Sequence, residues 1–165
     1  DQIIGTSVTE PFRSVTDVPM IWSDPLSRKG RVTNALASTI DLSASILERA
    51  GLAPYNGMQG SSFMPVIMGS DQHHQSLLCE YNDNGARLGF NRPARVRGIR
   101  TDRWRCTIYQ GELWGELYDL ESDPRETNNL WDSGKHKEIR AELTLQLAHM
   151  LTGQMDESPI SRLLA

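Results

Sequence analysis

The sequence predicts an α/β chain of the α+β kind. A last strand–helix unit of a layered α/β domain comes first, and a small antiparallel sheet packed against a C-terminal helix follows. Three observations predict it. A short apolar run, Val18–Trp22, precedes an amphipathic stretch over 38–50. Alternating segments recur at 76–81, 95–101, 103–109 and 116–120. A final stretch, 135–151, repeats Ile139, Leu143, Leu147 and Leu151 at every fourth position. Residues 1–70 are read as the trailing segment of the α/β domain, and 71–165 as a C-terminal α+β subdomain.

Each element has a local cause. Val18–Trp22 is a continuous apolar run closed by Ser23-Asp24-Pro25, the pattern of a strand buried on both faces. Ser38 and Asp41 have capping-box spacing at the start of a helix. Leu42, Ile46 and Ala50, widened by Leu47, form its expected apolar stripe, and Gly51 supplies the left-handed end. Residues 52–61 are rich in Pro and Gly and read as a loop. Ser62 opens a short helix with Phe63, Val66 and Ile67 on one side, and Gly69 ends it.

The second half reads as strands. Ser76–Tyr81 is expected to be extended, and 82–94 a long polar loop. Arg95–Thr101 and Arg103–Tyr109 flank a tight turn at Asp102. Trp104, Cys106 and Ile108 share one face; Arg103, Arg105, Thr107 and Tyr109 share the other, which is expected to be wet. Glu116–Leu120 is the last strand, stopped by Asp123-Pro124. The helix over 135–151 is backed by Leu145, Ala148 and Met150, and is expected to cover one face of the sheet.

Composition narrows the classes. The chain has 165 residues, 38% hydrophobic, enough for a real core. A net charge of −4 with both signs interspersed predicts no nucleic-acid partner. No apolar run approaches a membrane span, so no membrane partner is expected. The two cysteines, Cys79 and Cys106, lie in separate strand-like runs without CxxC spacing and read as buried free thiols, with a disulfide between neighbouring strands as the alternative. His73 and His74 are adjacent, which points them apart on a strand, so they read as residues of a polar loop. Ser43 and Ser45 have no histidine near them in sequence, so no triad is supported. The expected metal and catalytic sets in this chain are therefore none.

The stretch GELYDLESDPRETNNL (115–130) closely resembles the segment near the C-terminus of the sulfatase family, the type-I formylglycine-dependent sulfuric ester hydrolases. DVPMIWSDP (17–25), STIDLSASILERAGL (38–52), GMQGSSFMPVIMGS (57–70) and RVRGIRTDRWRCTIY (95–109) agree in the same order, so the resemblance runs from about Val18 to Leu151. It implies an alkaline-phosphatase-like α/β domain and covers its C-terminal portion only. The family's nucleophile is a formylglycine made in a Cys/Ser-x-Pro-x-Arg motif. Neither cysteine fits that motif, and Ser23-Asp24-Pro25-Leu26-Ser27 has Ser27 where Arg is required. No pair matching the family's acidic metal ligands is present; Asp1-Gln2 matches its Asp-His-Gly poorly. The position of the family's sulfate-binding Lys falls on Thr9, with Glu10 for Gly.

The resemblance therefore implies the C-terminal fragment of a sulfatase, inactive alone. Ca²⁺ is expected for the full-length enzyme and no cofactor for this chain. Its implied partners are its own N-terminal catalytic domain and a sulfated small molecule or glycan. The 82–94 segment is expected to line a pocket mouth, with Asn82, Asp83, Asn84, Arg87 and Arg92 contacting the non-sulfate part of a substrate. A phosphonate or phosphodiester hydrolase of the same superfamily, and a non-catalytic binding module on this scaffold, are the alternatives. The Val18–Trp22 and 38–50 elements, without neighbours, are expected to expose an apolar patch that drives self-association.

Overall fold

The computed structural model describes residues 16–25, 30–86 and 90–154. Asp1, Thr9, Glu10, Ser27 and Arg87 lie outside them. In order come α1 (Asp41–Arg49), α2 (Met64–Ile67), β1 (Ser76–Ala86), β2 (Pro93–Thr101), β3 (Trp104–Tyr109), β4 (Gly115–Asp119), a 3₁₀ turn (Gly134–His136) and α3 (Lys137–Gly153). Two compact units are present, one built on Trp22–Leu77 and the other on Leu78–His149.

The sheet runs β1-β2-β3-β4, a meander of sequence neighbours. β2–β3 and β3–β4 are antiparallel, and their registers place Ile99 opposite Cys106 and Cys106 opposite Leu117. All three side chains are fully buried, forming a row across the centre of one face. Leu143 and Leu147 of α3 are buried, and Thr144 hydrogen-bonds the Cys106 thiol, so this is the face the helix covers. Burial pushes that thiol up to about 11, although the Thr144 bond and the Arg105 and Arg140 charges oppose the shift. The expected α3 stripe holds at its centre, but its expected backing does not: Leu145 and Ala148 are exposed. Both cysteines are free.

The opposite face is not wet. Arg105, Thr107 and Tyr109 are all buried there. Arg105 Nε donates to Glu126 Oε1 at 2.6 Å, and Nη1 donates to Glu116 Oε2 at 2.7 Å and Thr107 Oγ1 at 2.9 Å. Its guanidinium also lies over the Tyr118 ring, 4.6 Å from the centroid. The chain after β4 folds back to supply Glu126. Asp123 organises that return: its carboxylate accepts the Thr127 and Asn128 N–H groups and the Thr127 hydroxyl. Asn129 then pairs with β4 like a short extra strand, accepting Leu117 N–H at 3.0 Å and donating to Gly115 O at 3.0 Å. Gly115 must be glycine, because a Cβ there would come within 2.6 Å of Thr107 O and of the Trp131 ring. Arg103 makes a bidentate pair with Asp119, and this bond holds the Asp119 carboxyl below the usual carboxylate range.

β1 is longer than expected. Residues 82–86, read from sequence as loop, continue the strand. Asn, Asp and Gly disfavour strands, but here Asp83 is buried and its Oδ1 accepts the Asn84 and Gly85 N–H groups. β2 adds Arg95 Nη1 to Asp83 O at 3.1 Å and Arg97 Nη1 to Asn82 Oδ1 at 3.0 Å.

In the Trp22–Leu77 unit, α1 starts two residues later than its cap spacing predicts. Half of the box forms: Asp41 Oδ2 accepts Ser38 N–H at 2.7 Å. The expected stripe is corrected, since Ile46 is 56% exposed while Asp41, Ala44 and Ser45 are buried. That buried face is polar and satisfied from afar: Ser61 N–H donates to Asp41 Oδ1, and Phe63 N–H donates to Ser45 Oγ. Gly51 takes its left-handed place, φ 71°. Ser62 Oγ accepts Met64 N–H as α2 begins. His73 and His74 do not diverge; both Nε2 atoms approach Asp41 Oδ2.

Val18–Trp22 is not a strand. Val18 is 56% and Ile21 91% exposed. A strand buried on both faces needs a partner on each edge, and no described residue pairs with it.

Candidate functional site: a polar strip on β1 and β2

Period-two alternation sorts the flagged residues. Asn82 and Asn84 are exposed along β1, while Asp83 between them is buried. On the neighbouring β2, Ala94 and Val96 are buried in a small cluster with Tyr109, against which Tyr81 and Phe90 pack. Arg95, between them, is exposed, and Arg97 is half-buried. These two arginines stand beside the two asparagines, so the strip presents guanidinium and carboxamide groups together. Arg97 is fixed there by Glu80 Oε1 at 2.7 Å and by Asn82. Arg95 is fixed by the β1 backbone at Asp83.

Such a strip carries the donors and acceptors that anions and hydroxyls need. Guanidinium offers planar donors matched to oxyanions, and carboxamides donate to and accept from hydroxyl groups. The strip's carboxylate, Glu80, is engaged by Arg97.

The other expected residues have different places. Asp83 is an internal brace that caps two backbone N–H groups. Arg87 lies outside the described residues. Arg92 is tied to the β3–β4 connection, its Nη2 donating to Gln110 O at 2.5 Å and Glu112 Oε1 at 3.1 Å. There it lies against Gly111, whose φ of 76° and lack of a side chain leave room for it. The same region carries an aromatic stack: the Tyr109 and Trp114 ring centroids are 4.5 Å apart, and Phe90 stacks on both. Sequence reasoning missed Arg95 and Arg97. Their alternation with Ala94 and Val96 was the signal: it sets both arginines on one side of β2.

A family model described as N-sulphoglucosamine sulphohydrolase, C-terminal, matches residues 12–153. The chain belongs to this family. Among curated relatives of this sulphohydrolase C-terminal segment, the Delta 4,5-hexuronate-2-O-sulfatase of Bacteroides thetaiotaomicron is 28% identical over 151 residues, spanning 88% of this chain and 31% of the relative. The chain therefore spans under a third of that relative's length. A protein solved in complex with its substrate, D-glucosamine-2-N,6-O-disulfate, superposes with a TM-score of 0.66 at 23% identity, over 79% of this chain and 27% of the other. The phosphonate monoester hydrolase of Silicibacter pomeroyi gives a TM-score of 0.71 at 22% identity, over 82% and 29%. These two likenesses show the fold.

Proposed function

We propose that this chain is the C-terminal portion of a sulfuric ester hydrolase acting on a sulfated sugar, with the β1–β2 strip recognising the part of the substrate that is not cleaved. The family match over residues 12–153 carries this reading. The curated 2-O-sulfatase relative and the fold neighbour solved with a glucosamine disulfate support the substrate class. Asn82, Asn84, Arg95 and Arg97 would bind and orient sugar hydroxyls and a further anionic group. Asp83 holds the strip's backbone. Arg92, held at the β3–β4 connection, would extend the same proposed mouth; Arg87 is a further candidate from the sequence alone, outside the described residues.

Sulfate-ester cleavage by a formylglycine enzyme draws on a divalent cation, Ca²⁺ in this reading, to hold the sulfate oxygens. The described residues do not fit that ion. The one group of neighbouring His, Cys, Asp and Glu donors among them is Asp41, His73 and His74. Ca²⁺ takes six to eight oxygens and is poorly served by imidazole nitrogen. The chemistry is thus assigned to the N-terminal catalytic part of the full-length enzyme, the chain's main partner.

Titrating the chain with a sulfated disaccharide tests the strip. NMR shifts are expected at Asn82, Asn84, Arg95 and Arg97, and Arg95→Ala with Arg97→Ala should weaken binding by about tenfold or more. Shifts confined to other surfaces would remove the strip from the site. The chain with an aryl sulfate and Ca²⁺ should show no turnover; turnover would overturn the assignment of the chemistry elsewhere. Exposed Val18 and Ile21 should also drive self-association of the isolated chain, which light scattering reads. A monodisperse monomer over a wide concentration range would refute that.

A further inference from the structure

We propose that Asp41, His73 and His74 form a binding site for a divalent transition-metal cation of the zinc type. Asp41 opens α1 and is fully buried. Its Oδ2 lies 2.9 Å from His74 Nε2 and 3.3 Å from His73 Nε2. One donor atom from each residue falls within a group no more than 4.8 Å across. A tetrahedral zinc with bonds of about 2.0–2.1 Å separates neighbouring donors by roughly 3.3 Å. The set therefore reaches that geometry through shifts of a few tenths of an ångström to about an ångström. Two imidazoles and one carboxylate suit borderline cations such as Zn²⁺ rather than Mg²⁺ or Ca²⁺.

His73 is the independent observation. Its side chain is only 8% exposed, and Nε2 is buried without a hydrogen bond, aimed at the Asp41 carboxylate. An ion pair between Asp41 and His74 accounts for His74 and leaves His73 Nε2 within 3.3 Å of the same carboxylate oxygen without a hydrogen bond. A cation at the centre engages both rings. On binding, each imidazole offers its Nε2 lone pair, and a proton held there passes to Nδ1 or to water. The supporting shell is already in place. Ser38 and Ser61 N–H groups fix the carboxylate, and the Phe63 ring meets the His73 ring edge-on with centroids 6.5 Å apart. His74 is 27% exposed and 3.4 Å from Ser61 Oγ, which leaves a watered side for a fourth ligand. The cation would fasten the start of α1 to the segment that leads into β1, residues 33 apart in sequence.

Calorimetric titration of the chelator-stripped chain with ZnCl₂ tests this. One saturable site per chain is expected, together with a rise in melting temperature. His73→Gln with His74→Gln should lower the affinity at least about tenfold and abolish the melting shift. Co²⁺ bound to the unmutated chain supplies a readout that does not depend on a variant folding. Its visible spectrum should report nitrogen and oxygen donors in four-coordination. Absence of a one-to-one site, an affinity unchanged in the double variant, or a thiolate charge-transfer band each overturns the proposal.

Discussion

Alanine in place of Arg105 is expected to destabilise the sheet-bearing unit by about 3–5 kcal/mol, read as a lowered urea midpoint at neutral pH. Arg105 is 2% exposed, and the carboxylates it serves, Glu116 and Glu126, are almost as deeply buried. Removing the cation leaves two buried anions on one face of the sheet, each held by a bond of 2.7 Å or less in the native protein. Glu126 is also the described non-glycine residue with positive φ, at 55°. A left-handed glutamate is held by its surroundings, and its ion pair with Arg105 is part of them. Loss of the pair should therefore release the 120–131 return segment as well as weaken the sheet. Lysine at 105 keeps the charge but not the fork that reaches Glu126, Glu116 and Thr107 together, so it should recover only part of the loss. Leucine fills the space and leaves the same two anions, so it should be no better than alanine. If alanine at 105 costs under about 1 kcal/mol, the triad is not what closes this face.

The same triad shows where the sequence is readable and where it is not. β2, β3 and β4 are legible because alternation and turn residues are local, and the 99–106–117 row follows from them. The polarity of the second face is not legible. Arg105 and Thr107 read as solvent-facing until Glu116 and Glu126, 11 and 21 residues on, are brought over them. α1 fails in the same way. Its apolar positions point outward at Ile46, and it buries Asp41 and Ser45 because partners at Ser61, Phe63 and His74 arrive from 18 to 33 residues away. β1 extends through Asn82–Ala86 against propensity for the same reason, with arginines of β2 supplying bonds that the local sequence does not announce. In the strip, the asparagines are legible as candidate contacts, but Arg95 and Arg97 become candidates only once β2 is set beside β1. Local pattern places elements; long-range bonds place the polar groups, and both sites considered above depend on such bonds.

Asp41→Ala is expected to lower stability at pH 7 by about 3–4 kcal/mol. The carboxylate accepts two backbone N–H groups, Ser38 at 2.7 Å and Ser61 at 2.9 Å, as well as His74 Nε2. An alanine leaves those donors without an acceptor where water enters poorly. The approach cannot be mended by sliding the 60–61 segment inward, because Gly60 already sits so close to the Ile40 carbonyl that even a Cβ has no room. Burial by itself would raise the Asp41 carboxyl, but the Ser38, Ser61 and His74 hydrogen bonds outweigh it and hold the group below its ordinary 3.8. A carboxyl depressed in the folded state contributes stability that is complete above its unfolded value and is lost as pH falls through the lower folded value. Asp119 and Asp123 are depressed as well, the first by Arg103 and the second by backbone bonds that overcome its desolvation. The unmutated chain should therefore keep its full urea midpoint down to about pH 4 and lose it below. The gap between it and the Asp41→Ala variant should be widest at neutral pH and narrow as the pH drops under 3.8. A gap that stays constant to pH 2.5 would mean that the ionised carboxylate contributes nothing and that only its shape matters.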